Sequence, residues 1–210
     1  MITTIGRHRV RHGNVMDGLD DLLRGEKATI FYSDPPWGQG NLNYWSTINK
    51  RMAGEQVQQP ALTAFLHQIA ALAARHTTHV VMIEYGIQWE HQLKAVTDEH
   101  ALRHLGTATT QYATGGKLRP LHLHAFAPPG STFTLPPDYL GSLEGTHGYA
   151  TTRAVIGALT RAGLTGILLD PCCGLGLQAR AAVEHGLTFR GNELNAARLA
   201  KTIIRLKADQ

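Results

Sequence analysis

Ile167-Leu168-Leu169-Asp170-Pro171-Cys172-Cys173-Gly174-Leu175-Gly176 is the stretch that decides the fold. Its first three residues read as a short strand, apolar enough to be buried on both faces. Pro171 and the two glycines then turn the chain. Glycine permits a tight turn and lets a ligand approach the main chain closely. A helix is predicted over Ala179 to His185 and a strand over Thr188 to Gly191. Glu193 follows, about twenty residues beyond the glycines, where an acid accepts hydrogen bonds from two ribose hydroxyls. Strand, Asp-Pro-x-x-Gly-x-Gly, helix, strand, acid describes a nucleoside crevice at the carboxyl ends of parallel strands. No Lys-Ser/Thr follows the glycines, so this is no P-loop. A dinucleotide site and a plain strand-to-helix turn both stay open at this point, although Asp-Pro is an unusual start for the former.

A second stretch, Ser33-Asp34-Pro35-Pro36-Trp37, follows the strand-like run Ala28-Thr29-Ile30-Phe31-Tyr32. Two prolines donate no backbone hydrogen bonds and fix their own φ, so the chain leaves the sheet as a stiff turn. A carboxylate precedes that turn and an indole follows it. The pair suits a flat ligand, with the acid at its rim and the indole on its face. The plainer alternative is a strand-ending turn with a buried Trp.

Between and around these stretches, strands alternate with helices. Val10 to Gly13 reads as a strand and Met16 to Leu23 as a short helix. Gly38 to Gln59 is polar and without sustained periodicity, and is predicted to be a long, mobile loop on the substrate side. Leu62, Phe65, Leu66, Ile69 and Leu72 form one face of a helix, with Pro60 at its start. His79 to Glu84 is a strand, and Ile87 to Asp98 a helix. Gly106 to Thr114 and Leu121 to Ala127 read as a hairpin joined through Gly115 to Pro120. Pro128 to Gly148 reads as a short irregular connector over the surface. Thr151 to Ala162 and Asn195 to Lys207 are helices. The sum is a mostly parallel α/β sheet with an antiparallel edge, in a single domain over residues 1–210.

Composition fits a globular chain: 43% hydrophobic and 17% charged residues in 210. No apolar run is long enough to span a bilayer, and no basic stretch followed by an apolar core opens the sequence. The two cysteines, Cys172 and Cys173, are neighbours, which excludes a disulfide framework, lacks zinc-site spacing and fits a reducing, cytoplasmic setting. A net charge of +4 is a mild bias toward a polyanion. His122 and His124 share one strand face and could ligate a metal, but no third ligand is evident in the sequence. They read as solvated or hydrogen-bonded edge histidines, and no metal is expected.

Asp34-Pro35-Pro36-Trp37 resembles the catalytic motif of S-adenosylmethionine-dependent amino-methyltransferases, and Asp170 to Gly176 resembles their cofactor motif. Catalytic motif first and cofactor motif last is the order of the permuted β-class DNA methyltransferases, shared by the MTA-70-like enzymes. Gly13-Asn14 stands where the β-class has Gly-Asp, and Thr146 to Tyr149 where many members have a His-Pro-Thr-Gln-Lys-Pro element. The plan covers Val10 to Leu206. There are departures: Cys172 replaces the usual Phe, and Leu175 and Leu177 stand where Ser and Thr help to hold the cofactor's carboxylate. Gln178 or backbone amides would have to serve instead. Residues 128 to 148 are too few for a target-recognition domain.

The resemblance implies a Rossmann-like three-layer sandwich, a circularly permuted, mostly parallel seven-stranded sheet with an antiparallel hairpin. It implies S-adenosyl-L-methionine as cofactor, held by Asn14, Asp34, Asp170, Cys172, Gly174, Gly176 and Glu193. It implies DNA as partner and a homodimer as one assembly. Adenine N6 is the expected target; cytosine N4 of DNA and adenine N6 of RNA are the alternatives, with an inactive nucleic-acid-binding or scaffold module as a reading of another class. Asp34 and the Pro35 carbonyl would accept from the target amino group, Pro36 would keep the turn rigid, and Trp37 would stack on a base flipped or already single-stranded. Tyr44, Lys50, Arg51, Lys117 and Arg119 would contact the substrate.

Overall fold

Ala28–Ser33 is the middle of the molecule, buried at every position but Thr29. The computed structural model describes residues 1–54 and 60–207. In chain order the strands are β1 (Ile2–Ile5), β2 (His8–His12), β3 (Ala28–Ser33), β4 (Thr77–Tyr85), β5 (Arg103–Thr114), β6 (Lys117–Ala127), β7 (Ile167–Asp170) and β8 (Thr188–Glu193). The helices are α1 (Asp20–Leu23), α2 (Gly38–Ala53), α3 (Leu62–His76), α4 (Glu90–Glu99), α5 (Tyr149–Arg161), α6 (Leu177–Glu184) and α7 (Ala196–Lys207).

All eight strands form one sheet in the order β1-β2-β8-β7-β3-β4-β6-β5. The pairings from β2 through β4 are parallel; those of β1 with β2, β4 with β6 and β6 with β5 are antiparallel. Alternation along β3 and β4 sends Ile30, Tyr32, Val80 and Met82 to one face and Phe31, Val81, Ile83 and Tyr85 to the other. The first face packs on α5, α6 and α7, the second on α1, α3 and α4, giving three layers.

β3 and β7 are hydrogen-bonded neighbours, with Ile30 opposite Leu168 and Phe31 opposite Leu169. From β3 the chain moves on to β4 on one side, and from β7 to β8 on the other. The strand order therefore reverses between them, which is where open α/β sheets bind ligands. Asp34 and Pro171, the first residues past the two strands, open into one crevice.

Four expectations need correction. The sheet has eight strands, not seven: Ile2-Thr3-Thr4-Ile5 are β-branched and pair with β2 across Gly6, whose φ is +52°. The expected loop at Gly38 to Gln59 is helix α2 through Ala53, stopped at left-handed Gly54, whose N–H reaches the Lys50 carbonyl; residues 55 to 59 lie outside the described residues. The hairpin turns on Gly115-Gly116 alone, both at positive φ, so Lys117 to Pro120 belong to β6. Pro120 is tolerated there because β4 pairs with β6 only from His122 onward. Finally, the connector at 128 to 148 is anchored rather than superficial. Tyr139 and Leu143 are buried in the core, and Phe133, Leu135 and Leu140 pack on it.

Candidate active site

A cavity of about 590 Å³ lies at the carboxyl ends of the five parallel strands. Asn14 follows β2, Asp34 to Trp37 follow β3, Glu84 is near the end of β4, Pro171 and Cys172 follow β7, and Glu193 ends β8; all of them line it. α2 forms one wall and the β5–β6 hairpin another.

The proline turn delivers its acid into this space. Asp34 lines the cavity and is solvent-exposed, though protein packs densely around its carboxyl. That burial pushes its carboxyl up to about 6, against the pull of the Trp37 indole and the Arg198 charge. The indole Nε1–H donates to Asp34 Oδ1 at 3.1 Å. Its ring meets Tyr112 at 4.8 Å between centroids and 78° between planes. It also lies against Gly86, where a Cβ would come within 3.2 Å of it. Glu84 stands on the same side of the sheet as Tyr32, which donates to it at 2.6 Å. Burial, and secondarily the Asp34 charge, push Glu84 up to about 8. Of the two carboxyls, Glu84 is the one that burial holds more strongly in the protonated form.

Across the crevice the glycine loop is tied to α7. Gly174 has φ +52° and Gly176 φ +78°. A Cβ on Gly174 would meet the Arg198 guanidinium at 2.6 Å, and one on Gly176 the Thr202 backbone at 2.9 Å. Thr202 Oγ1 donates to the Gly174 carbonyl at 3.0 Å. Glu193 is held at both oxygens, accepting from the Gly174 amide at 2.7 Å and the Asn195 amide at 2.8 Å. Asn192 donates to the Pro171 carbonyl and accepts from Arg11, which locks the loop's start. Asp170 is buried; its Oδ1 accepts from the Cys172 amide at 3.0 Å and its Oδ2 has no hydrogen-bond partner. Burial raises Asp170 and Glu193 alike, the latter opposed chiefly by the Asn195 amide and Arg198. Burial and the nearby carboxylates also push both cysteine thiols up, so neither is a nucleophile at neutral pH.

α2 turns Asn41, Leu42, Trp45 and Asn49 to the cavity at helical spacing. Trp45 carries the Arg198 guanidinium on its ring at 4.1 Å, and Asn49 accepts from Asn195 at 3.0 Å. Arg198 is the one arginine or lysine among the described lining residues, and its charge acts on Asp34 and Glu193. Three carboxyl groups, Asp34, Glu84 and Glu193, thus share the interior with a single arginine.

Of the residues singled out from sequence, Asn14, Asp34, Pro35, Pro36, Trp37, Cys172 and Glu193 meet in the cavity. Asp170, Gly174 and Gly176 sit behind that wall and shape it. Tyr44, Lys50 and Arg51 lie on the exposed side of α2, and Lys117 and Arg119 are exposed on β6 opposite Thr114 and Tyr112, which do line the cavity. Asn14 also caps the following 3₁₀ turn, accepting from the Met16 amide at 3.0 Å. Sequence reasoning passed over Glu84, Tyr112 and Arg198. Glu84, an acid closing the apolar run Val80 to Ile83, was the readable signal; Arg198 had none, being one basic residue among several on α7.

No family model and no curated protein matches the chain. Solved structures do. The M1.HpyAVI–SAM complex superposes with a TM-score of 0.66 at 15% identity, over 94% of this chain and 97% of that one. TTHA0409 from Thermus thermophilus, complexed with S-adenosyl-L-methionine, gives 0.62 at 14% over 96% and 94%. PvuII DNA methyltransferase, cytosine-N4-specific, gives 0.64 at 10% over 96% and 87%. The chain has the Rossmann-like α/β fold of these proteins.

Proposed function

We propose that the protein is an S-adenosylmethionine-dependent DNA methyltransferase of the permuted β-class plan, a single domain that methylates an exocyclic amino nitrogen, adenine N6. The observation that carries this is the junction of β3 and β7: an Asp-Pro-Pro-Trp turn and a glycine loop with its ribose-type acid face one cavity from adjacent strands. The likeness to structures described as DNA methyltransferases or as complexes with S-adenosylmethionine supports it.

The residues present fit the cofactor. Its sulfonium, a charge that S-adenosylhomocysteine lacks, matches the Asp34 carboxyl that opens on the cavity. Glu193, fixed by two backbone amides, keeps lone pairs for two ribose hydroxyls. Arg198 and Gln178, both lining, supply donors for a carboxylate where Leu175 and Leu177 cannot. The bound cofactor supplies an electrophilic methyl for in-line displacement.

The rest is the work of this chain. The Trp37 N–H occupies one side of the Asp34 carboxylate and so fixes the orientation of the whole group. Its remaining lone pairs and the Pro35 carbonyl accept from the target amino group, localise the nitrogen lone pair and stabilise developing positive charge. The nitrogen loses one proton as it gains the methyl, and Asp34 is placed to receive it. Trp37 and Tyr112 offer faces to a base taken out of its stack. Lys50 and Arg51 on α2 and Lys117 and Arg119 on β6, all exposed, would hold phosphates, with Tyr44 on the same helix as the first pair.

The test is product analysis. Labelled cofactor is incubated with duplex DNA, single-stranded DNA and RNA, and each polymer is digested to nucleosides. N6-methyldeoxyadenosine is the expected product. N4-methylcytosine in DNA, matching the cytosine-N4 specificity of the PvuII enzyme, would shift the base, and N6-methyladenosine in RNA alone would shift the polymer. No product on any substrate, with cofactor still bound, would leave a binding module.

A further inference from the structure

On the opposite face of the sheet from Glu84, a second polar cluster is built around β6. His122 and His124 stand opposite Tyr85 and Ile83 of β4 and share their face. Glu90, the first residue of α4, reaches over them. Its Oε2 is 2.6 Å from His122 Nδ1 and 3.8 Å from His124 Nε2, and the three ligand atoms all lie within 4.8 Å of one another. The third ligand that the sequence does not show is thus supplied by a helix start more than thirty residues away.

His124 is the informative member. It is 8% exposed, and its Nε2 has no hydrogen-bond partner. Its other nitrogen, Nδ1, is 3.0 Å from Thr107 Oγ1, which is also 3.0 Å from His104 Nε2. A threonine hydroxyl has one proton. Given to His104, it leaves Thr107 to accept from His124 Nδ1–H, and the proton-free His124 Nε2 lone pair then points at a carboxylate. In that tautomer two acceptors face each other 3.8 Å apart. A cation relieves that opposition, and a neutral imidazole oriented through its second nitrogen is the form in which histidine ligates metals.

We propose that Glu90, His122 and His124 bind one divalent transition-metal ion, of which zinc best matches two imidazoles and a carboxylate, as a structural tie between β6 and α4. Water completes the coordination on the side where Glu90 and His122 are partly exposed. The carboxylate moves off its direct bond to His122 to admit the ion. The tie reaches the active site through the residue before Glu90. Trp89 lies so close to Gly38 and Gly86 that a Cβ on either would come within 2.9 Å or less of its ring, and Gly86 in turn backs Trp37. Fixing Glu90 therefore fixes the wall behind the proline turn. The site stands independently of the proposed reaction.

Untagged protein, stripped with chelator, is titrated with zinc by calorimetry and with cobalt(II) by visible absorption, and its melting temperature is followed with and without zinc. One equivalent is expected to bind, with a tetrahedral cobalt spectrum and a rise in melting temperature. Glu90→Gln, a near-isosteric change at a partly exposed side chain, and His124→Asn should abolish both. Thr107→Val should weaken binding by about ten- to a hundredfold. The chain has twelve histidines, and His67 lies 3.4 Å from His100, so His67→Asn is the control and should bind as wild type. Absence of a saturable single equivalent overturns the proposal, as does undiminished binding by folded Glu90→Gln or loss of binding in His67→Asn.

Discussion

The turn after β3 is stiffened by two prolines; the turn after β7 is freed by two glycines. They leave neighbouring strands and meet across one cavity. At the proline turn the chemistry resides in side chains: Asp34 opens on the cavity, and Trp37 steadies it by a single hydrogen bond. At the glycine turn the side chains are absent because α7 occupies their space, and the work falls to a main-chain amide that holds Glu193. Under the proposed function one turn acts on a substrate and the other positions an acid. Substitutions should therefore separate the two, one changing turnover and the other changing fold and cofactor affinity.

The largest effect is expected at Asp34. Asp34→Ala should lower kcat by about two to three orders of magnitude in a labelled-methyl assay, because it removes a fixed acceptor from the developing charge. Gly176→Ala comes next. At φ +78° and against the Thr202 backbone, the added methyl should cost about 2–3 kcal/mol in urea unfolding, with reduced cofactor affinity. An unfolding midpoint equal to wild type would remove α7 from the account. The exposed basic pair on β6 is a smaller matter. Lys117→Ala with Arg119→Ala should lessen the slope of log affinity for duplex DNA against log salt by about 0.9 per lost phosphate contact, leaving cofactor affinity unchanged.

The smallest effect is a pH dependence of stability. Glu84 is raised from 4.5 to about 8 on folding, so the stability linked to it is full below 4.5 and is lost as pH rises through about 8. Glu84→Gln keeps an acceptor for Tyr32 and removes the titration. The variant should gain on wild type progressively from pH 5 to 8 and hold that gain above it, measured by denaturation across pH 5 to 9. Asp34, raised to about 6, adds the same sign at lower pH. It also predicts that kcat/KM climbs with pH through about 6 as the carboxylate forms.

What could be read in the chain follows from which signals are local. Ile167 to Leu169 and Ala28 to Tyr32 are continuous apolar runs, and buried parallel strands need nothing else to announce them. α2 was not legible because its inward face lines a cavity instead of a core. Asn41 and Asn49 occupy positions where a packed helix would show leucines, and Gly, Asn, Ser and Thr are poor helix formers. Gly54, in place to stop a helix, was the one local clue. The partnerships that complete the site, Tyr32 with Glu84 and Arg198 over Trp45, join positions 52 and more than 150 residues apart. Glu90 with His122 is of the same kind. Spacing along the chain carries no trace of such pairs; the register of β3 with β4, β4 with β6, and the packing of α7 on α2 create them.

The most direct measurement of the division between the two turns is calorimetric titration of S-adenosylhomocysteine into wild type, Asp34→Ala and Glu193→Ala in parallel. Essentially wild-type affinity is expected for Asp34→Ala and a loss of about tenfold or more for Glu193→Ala. Equal losses in both variants, or undiminished affinity in Glu193→Ala, would contradict that division.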